Sequence, residues 1–275
     1  MPAKNPQSPT LQMQTDWEQR AAANPMYHID SRKIHWEMDN FYAGGEAIVA
    51  KAIDPVLVKF GVDPADKSLL EIGPGMGRLF PALTHRFRSV VGVEISPTMI
   101  ELGQKNCPAR DSARWILGDG SSLTGIDDAS IDYVISFEVF QHIPVFAPIK
   151  AYMTEARRVL RPGGTLQVQL RKGSDSRAQA AFRHLPHNIQ PFAAGVLKKI
   201  KVLPISGHVD TWLGCEVDPQ DALKEANSLG FIDTAILDDD LHPRGMGYWL
   251  VGQVPQTDGA TLPRPTADGR EGIPS

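Results

Sequence analysis

Apolar positions along the chain change their period several times, and the changes mark its elements. From Leu11 to Ala23 they recur at helical spacing around Trp17, and Asn24-Pro25 closes the stretch because a residue before proline disfavours the helical region. A second helical stretch is predicted roughly from Lys33 to Ile53, carrying Trp36, Met38, Phe41, Tyr42 and Ile48 and interrupted at Gly44-Gly45. Short apolar runs then alternate with helical stretches. Strands are predicted over Ser68–Ile72, Val90–Glu94, Arg114–Leu117, Ile131–Phe137 and Thr165–Arg171; helices begin near Gly77, at Ser96-Pro97 and over Pro148–Leu160. A helix over Pro219–Leu229 and strands over Phe231–Leu237 and Gly247–Val254 end the pattern. This alternation is that of a doubly wound α/β domain.

The sharpest local signal lies at the end of the first strand, in Glu71-Ile72-Gly73-Pro74-Gly75-Met76-Gly77-Arg78. Glycines at every second position let the backbone turn tightly and approach a ligand without a Cβ in the way, beside the positive end of the next helix. A dinucleotide fingerprint would need its third glycine at position 78, where Arg78 stands, so the spacing counts against a nicotinamide-dependent oxidoreductase. Glu94 ends the second strand, next to the glycine turn in a parallel sheet, where a carboxylate can accept from both ribose hydroxyls. Asp119 and Gly120 follow the third strand. Ser136-Phe137-Glu138-Val139-Phe140-Gln141-His142-Ile143-Pro144 continues from the fourth, near the switch point where ligands bind in open α/β sheets.

Taken in this order, the glycine turn, Glu94, Asp119, the end of the fourth strand and the Arg158-Val159-Leu160-Arg161-Pro162-Gly163-Gly164 step resemble the class I S-adenosylmethionine-dependent methyltransferases. The resemblance runs roughly from Lys67 to Pro255 and is closest to the small-molecule branch. It implies a Rossmann-like, mostly parallel seven-stranded sheet with an antiparallel last strand. It also implies a helical N-terminal cover, residues 11–60, over a main domain of residues 61–254, with residues 172–217 inserted on the substrate side. The implied cofactor is S-adenosylmethionine. Gly73, Gly75 and Gly77 would approach its methionine part, Glu94 its ribose, and Asp119 and Gly120 its adenine; Glu71 and Phe137 complete the cofactor-binding set. Trp17, Tyr27, Phe41 or Tyr42 would line the pocket if the N-terminal segment folds over it; otherwise these aromatics are core.

Methyl transfer is an in-line displacement, so most of the work is positioning, and a base is needed only where the acceptor must lose a proton. His142 titrates near neutrality and is the first candidate base, although it can equally serve to shape the site. Glu138 has a similar claim, or contacts the cofactor's amino group or the local backbone. His208 and Asp210, at the end of the insertion, form a second acid/base pair. No Asn/Asp-Pro-Pro-Tyr step follows the fourth strand, which disfavours amino-methylation of bases or amides. A non-catalytic cofactor-binding protein and a macromolecule methyltransferase remain alternatives, and oxygen is the favoured acceptor atom.

Composition adds limits. The 275 residues suit one α/β domain with additions, and the net charge of −4 argues against a protein dedicated to coating nucleic acid. Against that acidic background the stretch from Arg171 to Gly207 carries Arg171, Lys172, Arg177, Arg183, Lys198, Lys199 and Lys201 with Asp175 as its one acid. This is either a solvated face or an attraction for an anionic substrate or membrane surface. His184 and His187 flank Pro186 and lack a third ligand, and Cys107 and Cys215 fit no metal spacing, so no metal site is expected. Asp238-Asp239-Asp240 is expected to be solvated. The absence of a signal-peptide pattern or an apolar span makes the cytoplasm the expected location. Residues 1–10 and 255–275, polar and proline-containing, are expected to be disordered tails.

Overall fold

The computed structural model describes residues 8–173, 214–241 and 247–256. Ser8 caps the first helix, α1 (Pro9–Ala23), by accepting from the Leu11 amide, so Pro9 and Thr10 belong to a helix rather than to a tail. Asn24 then caps α2 (Pro25–Ile29), its side chain accepting from the Tyr27 amide. The predicted second helix begins later and is unbroken: α3 spans Met38–Ala52 and runs straight through Gly44-Gly45. The glycines do not interrupt it because Gly45 is there for close packing; a Cβ on it would stand 2.2 Å from the Arg78 carbonyl oxygen. After α4 (Asp54–Phe60) the chain enters the sheet.

Strands β1 (Ser68–Ile72), β2 (Ser89–Glu94), β3 (Ala113–Leu117), β4 (Ile131–Ser136), β5 (Leu160–Arg171), β6 (Ile232–Asp238) and β7 (Gly247–Gln253) form one sheet in the order β3-β2-β1-β4-β5-β7-β6. The first five run parallel, and β7 lies antiparallel between β5 and β6. Every residue of β1 is buried, as expected for a strand covered on both faces. On one face, α7 (Phe146–Val159) and α8 (Pro219–Ser228) cover Leu70, Val134 and Leu166; on the other, α3, α4, α5 (Phe80–Thr84) and α6 (Pro97–Asn106) cover Leu69, Tyr133 and Val251.

Three further expectations are corrected. The helix after the glycine turn does not start near Gly77: residues 74–79 are turns, closed by Gly77 N–H to the Pro74 carbonyl (2.8 Å), and only the one-turn α5 follows. The Arg161–Gly164 step lies inside β5 as a local irregularity, since Ile131 pairs with Leu160 and Tyr133 with Thr165. Asp239 is not solvated. It is 5% exposed and accepts from Gln169 Nε2 at 2.7 Å, because burial of Gln169 in mid-sheet requires a partner. Among the described residues no helix is long and apolar enough to cross a membrane.

The two neighbouring glycines of α3 should part company on substitution. Nothing lies within 4 Å of a Cβ at Gly44, so Gly44→Ala should stabilise the protein by about 0.5–1 kcal/mol. Gly45→Ala should destabilise it by about 1–3 kcal/mol through overpacking on the glycine turn. Urea unfolding of both variants checks the pair; equal shifts in midpoint would contradict the packing role of Gly45.

Candidate active site

The parallel strands β1, β2 and β4 end side by side, and the turns leaving them enclose a pocket. Its floor is the glycine turn. Gly73 (φ +73) leaves β1 in the left-handed region, and a Cβ there would strike Val139 Cγ2 at 2.4 Å. Gly75 (φ +56) faces the cover, where Ile29 Cδ1 lies 2.9 Å from the position of a Cβ. Gly77 does not face the pocket. Its missing Cβ makes room for the Trp115 ring at 2.7 Å, and the Trp115 indole N–H reaches the Gly75 carbonyl at 3.4 Å. The third glycine is therefore a packing position beneath the turn.

Glu94 shapes this floor from β2. Its Oε2 accepts from the Gly75 amide (2.9 Å), and its Oε1 accepts from the Ile95 (2.8 Å) and Ser96 (2.9 Å) amides. Of the roughly four acceptor positions of a carboxylate, one remains on the pocket side. Burial raises the Glu94 carboxyl above its usual range, and the three amides oppose the shift without cancelling it.

Glu71 lines the pocket from the end of β1 and is 3% exposed. Its Oε2 is buried with no hydrogen-bond partner among the described residues. Burial pushes this carboxyl up to about 8; Arg78 pulls it down and Glu94 adds to the rise.

Asp119 departs from expectation. It follows β3, as read from the sequence, but its exposed carboxylate turns onto its own loop. It accepts from the Ser121 (2.8 Å) and Ser122 (2.7 Å) amides and from Ser122 Oγ (2.8 Å). Short aspartates in turns make such local bonds readily, and here they leave Gly120 alone to line the pocket. Phe137 lines it as expected, its ring stacked on Trp249 at 5.7 Å between centroids. His142 sits in a short 3₁₀ turn (Phe140–His142), lines the pocket, and meets the edge of Trp17 at 5.6 Å. His208 and Asp210, together with His184, His187 and most of the basic insertion, lie outside the described residues.

The cover is built by α1 and α2 rather than by α3. Met13, Trp17, His28 and Ile29 line the pocket, whereas Phe41 and Tyr42 are core and Tyr27 lies off it. The Glu18 carboxylate fastens α1 to the start of α6, accepting from Ser96 Oγ at 2.5 Å and Thr98 Oγ1 at 2.7 Å.

The structure adds two residues that pattern reading missed. Tyr152 reaches the pocket from α7; its place on the buried stripe of Ile149, Met153 and Ala156 marked it as inward-facing. Arg78 is 4% exposed and lines the pocket, bridging Asp30 (2.6 Å) and Glu138 (3.0 Å). A lone arginine within Met76-Gly77-Arg78-Leu79-Phe80 was its signal, since a charge there must find partners.

With this geometry in place the comparisons become informative. Residues 70–168 match the profile of a methyltransferase domain family. A demethylmenaquinone methyltransferase of Tropheryma whipplei (strain Twist) is 27% identical over 104 residues, 38% of this chain and 41% of that protein. A ubiquinone/menaquinone biosynthesis C-methyltransferase of Paracoccus denitrificans (strain Pd 1222) is 32% identical over 105 residues, 36% of this chain and 40% of that protein. The chain thus spans about two fifths of the length of these curated relatives.

Among solved structures, a magnesium protoporphyrin IX methyltransferase from Synechocystis PCC 6803 superposes with a TM-score of 0.58 at 16% identity, covering 90% of this chain and 100% of that one. A methyltransferase from Methanosarcina mazei gives 0.56 at 18% identity, covering 75% and 100%. Both show the same fold. Residues 70–168 thus match a methyltransferase domain, and the chain has the fold that these S-adenosylmethionine-dependent methyltransferases share.

Methyltransferases of this fold use S-adenosylmethionine, and the residues present fit it. Its cationic sulfonium and ammonium suit a pocket walled by Glu71, Glu94 and Glu138, its bulk suits the Cβ-free turn at Gly73 and Gly75, and the partnerless Glu71 oxygen is an acceptor awaiting a donor.

The raised carboxyl of Glu71 has a measurable consequence. Its folded-state value, about 8, lies above the ordinary 4.5, so the folded state keeps a proton that the unfolded chain has released. Its contribution to ligand-free stability is present in full below the ordinary value and is lost as pH rises towards 8. The melting temperature of the free protein should therefore fall between pH 5 and 8, and the slope should be shallower in Glu71→Gln. An unchanged slope in that variant would show that Glu71 does not titrate in this window.

Proposed function

We propose that the chain transfers the methyl group of S-adenosylmethionine to a small-molecule acceptor with an apolar face, oxygen being the favoured acceptor atom. The observation that carries this reading is the glycine turn at Gly73-Gly75, flanked by the buried carboxylates Glu71 and Glu94 and roofed by Met13, Trp17 and Ile29. When bound, S-adenosylmethionine would supply an electrophilic methyl carbon on a positively charged sulfur leaving group.

The protein's own part is to bind, align and exclude water. Glu71 would take the ammonium on its free oxygen, and Glu94 a ribose hydroxyl on its remaining acceptor position. Gly120 and Tyr152 would flank the adenine; Asp119 holds the loop that presents Gly120. Phe137, Val139, Ile143 and Trp17 give the pocket an apolar wall, which supports an acceptor with a flat apolar surface. His142 in the same wall is the candidate to accept the acceptor's proton. The quinone-pathway names of two relatives agree with a small-molecule acceptor, and the C-methyltransferase among them favours carbon as the second reading.

Purified protein incubated with methyl-labelled S-adenosylmethionine and a fractionated cell extract tests the proposal. Label in a small apolar product supports it. Label in protein or nucleic acid would replace it with a macromolecule methyltransferase, and cofactor binding without any labelled product would favour a non-catalytic role. Glu94→Ala should weaken S-adenosylhomocysteine binding by about 1–3 kcal/mol, the scale of lost hydrogen bonds to a charged group. His142→Ala should lower turnover more than cofactor affinity. Calorimetric titration and initial rates on the same preparations separate the two, and full turnover in His142→Ala would leave that residue a wall of the pocket only.

A further inference from the structure

We propose that the ion-pair chain Asp30–Arg78–Glu138 ties the reactive end of the pocket to closure of the N-terminal cover, with Arg78 as the positioning residue. The proposal rests on the functional reading above for the identity of the ligand, but the linkage itself rests on geometry.

Arg78 is the single lysine or arginine among the described residues lining the pocket. Its Nη1 donates to Asp30 Oδ2 at 2.6 Å and its Nη2 to Glu138 Oε2 at 3.0 Å. Asp30 belongs to the cover: it ends α2, one residue beyond Ile29, which presses on the glycine turn. Glu138 belongs to the floor, two residues beyond the end of β4. Arg78 itself leaves the glycine turn. One guanidinium thus joins the cover, the cofactor turn and the strand end that carries the acceptor wall.

The three groups are fixed from behind. Phe41 and Phe137 lie 5.9 Å and 5.7 Å from the guanidinium carbon and confine it. Glu138 is held in the left-handed region (φ +56), its amide donating to Gln169 Oε1 at 2.6 Å while Gln169 donates onward to Asp239. Asp30 is oriented by Arg32, whose Nε donates to Oδ1 at 2.8 Å, and its backbone carbonyl accepts from the Trp36 indole at 2.8 Å. Side-chain exposures of 5% for Arg78 and 4% for Asp30 mean that this pair forms out of water.

If α2 swings away, Arg78 keeps Glu138 and stands within reach of the charge on Glu71, so its side chain and the Glu138 carboxylate lose their unique arrangement. Closing α1–α2 over a bound cofactor therefore completes the floor in the same step that excludes water. Glu18 holds the other end of the cover through Ser96 and Thr98, so Asp30 is the inner fastening of a cover held at both ends.

Hydrogen exchange followed by mass spectrometry on the full chain, with and without S-adenosylhomocysteine, tests the linkage. In Asp30→Asn, amides of residues 9–37 should exchange at least tenfold faster in the free protein, and S-adenosylhomocysteine should bind at least tenfold more weakly. Asp30→Glu should recover part of both losses. Glu138→Gln is the decisive variant. Glu138 makes no hydrogen bond to the cover among the described residues, but its charge also acts directly on Arg32 and Asp30. Glu138→Gln is therefore compared in wild-type and Arg32→Gln backgrounds. Linkage through Arg78 should speed cover exchange in both, whereas a direct charge effect on Arg32 would vanish in the second and overturn the proposal. Glu46→Gln, which loosens the Glu46–Arg86 pair between α3 and the turn after α5, should leave the cover as in the wild type. Wild-type exchange in β4 identifies folded variants, and if Asp30→Asn fails that criterion, Asp30→Glu and Glu138→Gln carry the test. Cover exchange within twofold of wild type in folded Asp30→Asn or Glu138→Gln overturns the proposal. Failure of the wild type to bind S-adenosylhomocysteine would instead overturn the functional reading, while exchange in the free proteins still decides the linkage.

Discussion

Three ionisable side chains, Glu71, Arg78 and Glu94, are withdrawn from water beside the half-buried Glu138 at the ends of three adjacent strands, and much of the surrounding structure exists to make that tolerable. A buried charge is stable only with partners placed to answer it, and removing one partner of such a pair costs about 3–5 kcal/mol. Glu94 is answered by three backbone amides, which obliges the glycine turn and the start of α6 to converge on it. Arg78 is answered by Asp30 and Glu138, which obliges the N-terminal helices to lie over the pocket. Glu138 in turn sits at a left-handed φ that Gln169 secures. Each satisfied group fixes the element that satisfies it, and the pocket's walls follow.

Glu71 is the exception, and the contrast with Glu94 is instructive. The two carboxylates lie on neighbouring strands with similar burial. One is answered by three backbone donors that hold the loop; the other keeps an oxygen with no hydrogen-bond partner among the described residues and is driven towards its neutral form. Proteins seldom leave a buried acceptor unanswered, because the desolvation cost is then uncompensated. An arriving cation or ammonium donor would supply the missing partner and restore the charged form, and binding at Glu71 would then be coupled to loss of a proton. That coupling distinguishes a cofactor-shaped pocket from a glycine turn that merely changes chain direction.

The fold was legible because parallel strands buried on both faces leave continuous apolar runs, as in Ser68–Ile72, punctuated by glycine and proline at the turns. The glycine turn and Glu94 were legible for a related reason: their chemistry is local in sequence and stereotyped in spacing. What the sequence concealed depends on long-range partners. Gly77 looks identical to Gly73 and Gly75 along the chain, and only the Trp115 ring, brought beside it by β3, shows that it serves packing. Asp119 had the right position, but four competing donors within three residues draw it onto its own loop. Asp239 reads as one of three solvated aspartates until Gln169 is found beneath it. Gly44-Gly45 read as a break because helix propensity is local, whereas the close approach of α3 to the Arg78 carbonyl that Gly45 permits is not.

Arg78 shows how a departure from one motif becomes a feature of another. At a position where a dinucleotide-binding turn would need glycine, a long cationic side chain forces a different solution: the space above the turn must hold its guanidinium, and acids must come to it from elements far away in sequence. Asp30 precedes it by 48 residues and Glu138 follows by 60. Asp30 could be assigned no role on its own, and Glu138 could be read only as a second candidate base or as a contact to the cofactor or the local backbone. The arginine gives both their meaning. It also makes the N-terminal helices part of the site rather than a decoration on it, because without Asp30 the floor would hold a buried guanidinium between carboxylates with no fixed geometry.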